Sequence, residues 1–356
     1  MPQTNFLNVL KSHRLPVYQE IQKYLKDFIN FPSYCQIPKK YQSLVKLHHE
    51  TPSHYPNRLG KYIRPTLVLL TAKAMGFPVK KAIPTASAMQ VSQDWILNHD
   101  DIEDNSLKRR GQPCLHRIIG KELAINAGDG LHVLMWKILT DNQKVVGPKT
   151  AFQIQSEFYH MLNRTILGQT VEIKWTQENK KDLTNNDILF ILESKTGYYT
   201  IAGPMRLGAI LAKANKNQLD KLYQFGKLLG FSFQIQDDLL DLTSDFKGQK
   251  KQTGNDIYEG KRTIMLLHLL RTVNKNDHKK LTAILNLSRS QKTKKEINWV
   301  IKKMDQCGSL DYSRKLIKKY TDQAEIYFKK KLSFLSKQPA RSQLYSFINF
   351  LQLRTY

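Results

Sequence analysis

An all-α fold is predicted for this 356-residue chain from three observations. Apolar residues recur mostly at helical spacing, alternating β-type runs bounded by hairpin turns are scarce, and Pro and Gly fall between the helical stretches. Breaks are expected at Pro32 and Pro38 and again from Pro52 to Gly60. Pro65 then opens the segment PTLVLLTAKAMG and Gly76 closes it, the favoured placing of Pro in a first turn and Gly past the end. Residues 86–104 read as one helix, Gly147-Pro148 marks another break, and the apolar stretch LLGFSFQIQ leads into a further helix. Punctuation returns at Ser244 to Gly254. Near the C-terminus, Leu344, Phe347, Ile348 and Leu351 sit at i, i+3, i+4 and i+7 and make one buried stripe. None of the breaks resembles a domain linker, and no repeat of solenoid period is present. The expectation is one domain over residues 1–356, built of many helices with short connections.

Composition narrows the class. Hydrophobic residues form 41% of the chain and charged residues 24%, which excludes wholesale disorder and fits a soluble enzyme with a sizeable core. Lys and Arg number 56 against 30 Asp and Glu, a formal charge of +26 that would draw in any polyanion. The excess is spread along the chain, densest at Lys279, Lys280, Lys292, Lys294, Lys295, Lys302, Lys303 and Lys329 to Lys331, with no aromatic-interleaved block. It reads as a solvated lysine-rich surface. A basic nucleic-acid-binding protein is the rival from another class, but no zinc-finger or RRM string occurs and no nucleic acid is expected. Cys35, Cys114 and Cys307 lack CxxC spacing, so neither a zinc site nor a disulfide framework is indicated, and a reducing cytoplasm is expected. No stretch approaches the roughly 18 apolar residues of a membrane span, and MPQTNFLNVLKSHRLPVY lacks a signal-type apolar core. Peripheral contact with a membrane surface stays open.

Two aspartate clusters carry the chemistry. Residues 99–104, HDDIED, place Asp100, Asp101 and Asp104 at i, i+1 and i+4, so Asp100 and Asp104 share a helical face. DDLLD at 237–241 repeats the spacing with Asp237, Asp238 and Asp241. Like charges on one face repel, and a hard divalent cation offsets that repulsion. Mg²⁺ favours one or two carboxylates, several waters and substrate phosphate oxygens, so the spacing points to Mg²⁺ bridging protein and diphosphate. The order of an EF-hand calcium loop is absent. Basic and polar residues frame both clusters: Arg109 and Arg110 in SLKRRGQP, Lys61 and Arg64 in LGKYIRP, Lys195 and Thr196 in ESKTGYY, and Gln234, Lys251 and Lys261 about the second cluster. Guanidinium groups suit phosphate because their planar fork binds it bidentately.

These strings resemble those of the trans-isoprenyl diphosphate synthases, or polyprenyl synthetases, over nearly the whole chain. DDIEDNSLKRRGQP is similar to that family's first aspartate-rich motif, FQIQDDLLDL to its second, NDIYEGKRT to the segment after it, and GQTVE to its mid-chain GQxxD. Two departures stand out: Leu59-Gly60-Lys61-Tyr62 replaces one Gly and one Arg of the usual Gly-Gly-Lys-Arg, and Glu172 stands where Asp is frequent.

The resemblance implies an all-helical isoprenoid synthase fold with a central cavity, usually a homodimer. It implies that Asp100, Asp101, Asp104, Asp237 and Asp241 hold Mg²⁺ on an allylic diphosphate, with Asp238 in the same motif. Arg109, Lys195 and Lys261 would neutralise the leaving diphosphate. Lys61, Arg64, Gln93 and Arg110 would seat isopentenyl diphosphate, and Thr196, Gln234 and Lys251 would line the same site. Trp95 and Ile96, five and four positions before Asp100, fall at the cavity wall, where an indole resembles the bulky floor of short-chain synthases; small Ser92, deeper still, cannot serve as a stop unaided. Geranylgeranyl diphosphate is the expected product, with farnesyl diphosphate as the alternative. A class I terpene cyclase would use the same metal chemistry on one diphosphate but has little need of Lys61, Arg64 and Arg110 as a second anion site.

Overall fold

Residues 6–243 and 253–352 are described by the computed structural model, and most of them are helical. In chain order come α1 (Phe6–Asp27), α2 (Gln42–Asn57), α3 (Ile63–Ala74) and α4 (Val79–Glu103). A two-residue-stranded hairpin, β1 (Lys108–Arg109) with β2 (Gln112–Pro113), leads to α5 (Leu115–Ile119), α6 (Lys121–Asp141), α7 (Gln143–Val146) and α8 (Pro148–Gln177). The short α9 (Asn185–Ile191) runs into a π-helical stretch, Leu192–Ala202, and then α10 (Gly203–Leu211) and α11 (Lys216–Thr243). The rest comprises α12 (Asn255–Glu259), α13 (Ile264–Thr272), α14 (Lys275–Asn286), α15 (Lys294–Gln306), α16 (Ser309–Lys331) and α17 (Ala340–Gln352).

The apolar periods land where the spacing predicts. Leu344, Phe347, Ile348 and Leu351 of α17 are buried against α3, α11 and α16, each worth about 1.5–3 kcal/mol of burial. α3 holds Pro65 in its first turn, and Gly76 follows its end at φ +86, a conformation that costs glycine little. The helix expected over 86–104 is longer, starting at Val79. Asp104 caps its C-terminus while its N–H still reaches the Asp100 carbonyl at 2.9 Å.

One expectation needed correction. The break from Pro52 to Gly60 begins late, because α2 continues through Pro52 and Pro56; both rings are buried, and that packing outweighs the two missing N–H donors. The small hairpin was not anticipated. Arg110 and Gly111 take φ +52 and +80, the left-handed pair of a tight hairpin turn.

α4 packs along α6, and α11 packs on the π-helical stretch and α16. The approach of α11 is close for a definite reason. A Cβ on Gly230 would lie 2.3 Å from the Cα of Gly197, and one on Gly226 would lie 2.5 Å from Ala202. Bare glycine backbone therefore brings the polar side of residues 192–202 onto the polar side of α11. No helix among the described residues is long and apolar enough to cross a membrane.

Candidate active site

The first aspartate motif closes α4, and the hairpin folds its basic residues back onto it. Asp101 is fully buried, at 0% exposure. Its carboxylate accepts from Nε of Arg109 at 2.9 and 3.0 Å, from Nη2 of Arg109, and from the Tyr55 hydroxyl at 2.5 Å. Nη2 of Arg109 also reaches Asp100 at 3.4 Å. Burial pulls against the Arg109 charge, but Asp101 and Asp100 hold its guanidinium above the ordinary range.

Arg110, next on the turn, faces another way. Its Nη2 donates to Asp94 at 3.0 Å and its Nη1 to the Tyr55 carbonyl at 3.0 Å. These bonds offset the roughly 1 kcal/mol that a left-handed non-glycine residue costs. Asp94 is wholly buried and also accepts from Gln90 at 3.0 Å; burial raises its pKa, and Arg110 opposes the rise. Arg64 lies near the same pair, over the Tyr199 ring at 4.6 Å, and donates to Thr200 at 2.7 Å. Its Nε is buried with no hydrogen-bond partner among the described residues. Lys61 is exposed just before α3, and Gln93 is half-buried on α4.

Lys261 links the two motifs. It stands 2.9 Å from Asp104 and 2.8 Å from Glu259, and it is close enough to Asp256, Glu172 and Asp238 to feel their charge. Burial would lower its pKa, but the carboxylates of Asp104, Glu259 and Asp256 hold it well above its usual value. Arg289 braces the group, donating to Glu259 at 3.0 Å, Asn255 at 2.8 Å and the Asp104 carbonyl at 3.3 Å. Lys195 pairs with Glu172, which with Asp100 keeps its ammonium above the usual value despite burial. Thr196 donates to Gln234 at 2.6 Å, and Gln234 donates to Asp238 at 2.9 Å. Asp238 is 7% exposed; burial and the neighbouring Asp237 push it up to about 7, with Gln234 opposing. Asp104 rises to about 6 through burial, opposed by Lys261 and assisted by Asp100 and Glu259. Asp241 accepts from the Asp256 N–H at 3.0 Å, and burial beside Asp241 raises Asp256 well above its ordinary value.

Among the described residues no three His, Cys, Asp or Glu side chains form a ready metal cage. Mg²⁺ asks for less, since substrate oxygens and water complete its shell. The donors suit it. They are all carboxylates, and burial, with like-charged neighbours adding to it, raises Asp104 and Asp238, a state that a nearby divalent cation relieves.

A family model for polyprenyl synthetase matches residues 45–304. The chain belongs to the polyprenyl synthetase family. It is a short-chain prenyltransferase. The synthetase is 30% identical over 306 residues to the geranylgeranyl diphosphate synthase of Saccharolobus solfataricus, with 86% of this chain and 90% of the relative covered. It is 31% identical over 329 residues to that of Sulfolobus acidocaldarius, covering 92% and 93%. Its fold is similar to the crystal structure of geranylgeranyl pyrophosphate synthetase from Pyrococcus horikoshii, at TM-score 0.82 and 26% identity over 98% of each chain.

Most residues that the sequence singles out in the synthetase meet in three groups. Asp100, Asp101, Asp104, Arg109, Lys195 and Lys261 interlock, as do Thr196, Gln234 and Asp238; Arg64 and Arg110 gather about Asp94. Asp101, expected among the metal ligands, has both oxygens hydrogen-bonded to Arg109 and Tyr55, because residue 101 is turned about 100° from the face shared by 100 and 104. Lys251 lies outside the described residues. Trp95 is half-buried and stacks on His132 with ring centroids 4.2 Å apart, while Nε1 of Trp136 donates to Nε2 of that histidine at 2.9 Å. Ile96 packs against the same core, and the Ser92 hydroxyl lies 3.0 Å from that of Tyr199. Sequence reasoning missed Tyr55, Asp94, Asp256, Glu259 and Arg289. Asp94 had a signal, a charge inside the apolar run before Asp100; Arg289, far along the chain, had none.

Proposed function

We propose that the enzyme condenses isopentenyl diphosphate with allylic diphosphates in a Mg²⁺-dependent reaction and releases geranylgeranyl diphosphate. The observation that carries this reading is the presence of two separate basic groups, one around Asp100, Asp104 and Lys261 and one around Arg64 and Arg110, which matches a reaction of two diphosphates. A terpene cyclase would need only the first. Asp100, Asp104, Asp237 and Asp241 would hold Mg²⁺, which when bound supplies positive charge to the allylic diphosphate oxygens. Asp101 orients Arg109, and Asp238, held by Gln234, belongs to the wall of the site.

Lys195, Lys261 and Arg109 stabilise the charge that grows on the allylic diphosphate as its carbon–oxygen bond breaks, more in the transition state than in the substrate. Lys61, Arg64, Gln93 and Arg110 hold the isopentenyl diphosphate so that its double bond attacks the allylic cation. Buried Asp94 fixes the Arg110 fork. Thr196 and Gln234 line the site between the groups. The proton lost afterwards goes to the departed diphosphate, as the family resemblance implies.

Geranylgeranyl diphosphate is favoured over farnesyl diphosphate because Trp95, backed by His132, is the one aromatic at positions 95 and 96. A homodimer is favoured by α8, where Phe152, Tyr159 and Ile166, seven residues apart, are 72%, 57% and 50% exposed and form an apolar stripe. The whole chain acts as one domain, in the cytoplasm, where its free Cys35, Cys114 and Cys307 stay reduced.

Incubation with labelled isopentenyl diphosphate and each allylic starter tests the reading. Label should enter a prenyl diphosphate only when an allylic starter and Mg²⁺ are both present. Incorporation that persists in chelator, or turnover of an allylic diphosphate alone into hydrocarbon, contradicts it. Replacing Trp95 by Ala should lengthen the product by at least one isoprene unit; an unchanged product distribution moves the floor elsewhere.

A further inference from the structure

A cavity of about 650 Å³ lies between the C-terminal half of α1, α2 and the hairpin, lined in part by Lys26, His49, Glu50, His54, Arg58 and Gln112. Its size is that of a small-molecule site. None of these residues belongs to the machinery assigned above. Lys26, Glu50 and Gln112 are exposed at its rim, whereas Arg58 is only 9% exposed.

Arg58 is the unusual member. Its Nε and Nη2 are buried and have no hydrogen-bond partner among the described residues. Nη1 makes one long bond, 3.4 Å to the Arg109 carbonyl, and the guanidinium stacks on the Tyr55 ring at 4.9 Å. A buried cation with two unmet donors is costly, and a salt bridge or a bound anion is the usual remedy. The single lining carboxylate, Glu50, sits out at the rim, where Lys46 is 3.7 Å from it. Burial pulls the Arg58 guanidinium below its ordinary value, and burial together with the Arg58 charge does the same to His54. Asp101 behind Arg58 and Glu50 beside His54 oppose these shifts only in part, so positive charge predominates in the cavity.

We infer that this cavity is a second anion site, in which the Arg58 guanidinium turns its unmet Nε and Nη2, now closed to solvent, toward the cavity and with the Lys26 ammonium binds a phosphate or diphosphate group. Two parallel N–H donors on one edge of a guanidinium match two oxygens of such a group, and Lys26 adds charge from the rim. The ligand group comes either from a free phosphorylated molecule or from a lipid headgroup. The site is distinct from that of isopentenyl diphosphate but joined to it, because Arg58 touches Tyr55 and Arg109, the residues that hold Asp101 and the turn bearing Arg110. The inference does not depend on which prenyl product the enzyme makes.

The test is calorimetric titration of the full-length protein with inorganic diphosphate in chelator, for wild type, Arg58→Gln, Lys26→Glu and the control Lys23→Glu. Lys23 lies on the same helix, outside the cavity lining, and brings the same change of charge. One binding step should weaken roughly tenfold or more in Arg58→Gln and Lys26→Glu, the size of one lost charge-assisted contact. Lys23→Glu should titrate as wild type, and Lys26→Glu should keep wild-type turnover, which separates loss of the site from loss of the fold. Flotation with phosphatidylcholine vesicles, with and without phosphatidic acid, identifies the source. Binding to phosphatidic acid that free diphosphate does not displace, and that both variants lose, assigns the site to a headgroup. If diphosphate and vesicles bind both variants as they bind wild type, or if Lys23→Glu weakens them equally, the site does not exist.

Discussion

The two aspartate motifs are spelled almost alike, yet their middle residues live in different electrostatic surroundings. Asp101 and Asp238 are both buried, each turned from the face its neighbours share. Asp101 faces a guanidinium and a phenol that satisfy both oxygens, so its charge is neutralised inside the protein. Asp238 has a neutral amide for its hydrogen-bond partner, beside Asp237, and burial pushes it up to about 7. The first motif is therefore finished by the fold, with its arginine locked in place. The second remains short of positive charge, which substrate-borne cations would supply.

This contrast can be broken by substitution, beginning where the effect should be largest. Asp100→Asn or Asp237→Asn should leave the fold intact and lower turnover by about 10³-fold, the scale of losing a group that stabilises transition-state charge. Steady-state rates at saturating substrates give the answer, and wild-type turnover in either variant would sink the metal assignment. Asp101→Asn should act on stability instead. It leaves Arg109 buried without its main counter-charge, a loss of about 3–5 kcal/mol, readable in urea unfolding of the ligand-free protein. Asp238→Asn should be the mildest of the series. With no guanidinium to strand, its unfolding free energy should stay within about 1 kcal/mol of wild type or rise. A large loss there would mean that the two buried aspartates are equivalent after all.

Much of this was legible beforehand where the cause lies within a few turns of chain. The stripe of α17, the Pro65 and Gly76 boundaries of α3, and the sharing of one face by Asp100 and Asp104 follow from the 3.6-residue period and from local backbone chemistry. Pro52 and Pro56 misled, since their rings read as breaks until the core packs around them. The hairpin escaped because two residues per strand leave no alternating pattern to see.

The sequence by itself determined an all-helical chain with two carboxylate faces and a surplus of cations near them, because periodicity and motif spacing are properties of contiguous residues. Which carboxylate meets which cation was decided only by tertiary structure. Tyr55 reaches Asp101 across 46 positions, and Lys261 reaches Asp104 across 157. No local preference encodes such partners. They are set by the close approach of α11 to residues 192–202 at Gly197 and Gly230, by the turn that brings Arg109 back onto α4, and by the strength that charge pairing gains once water is excluded.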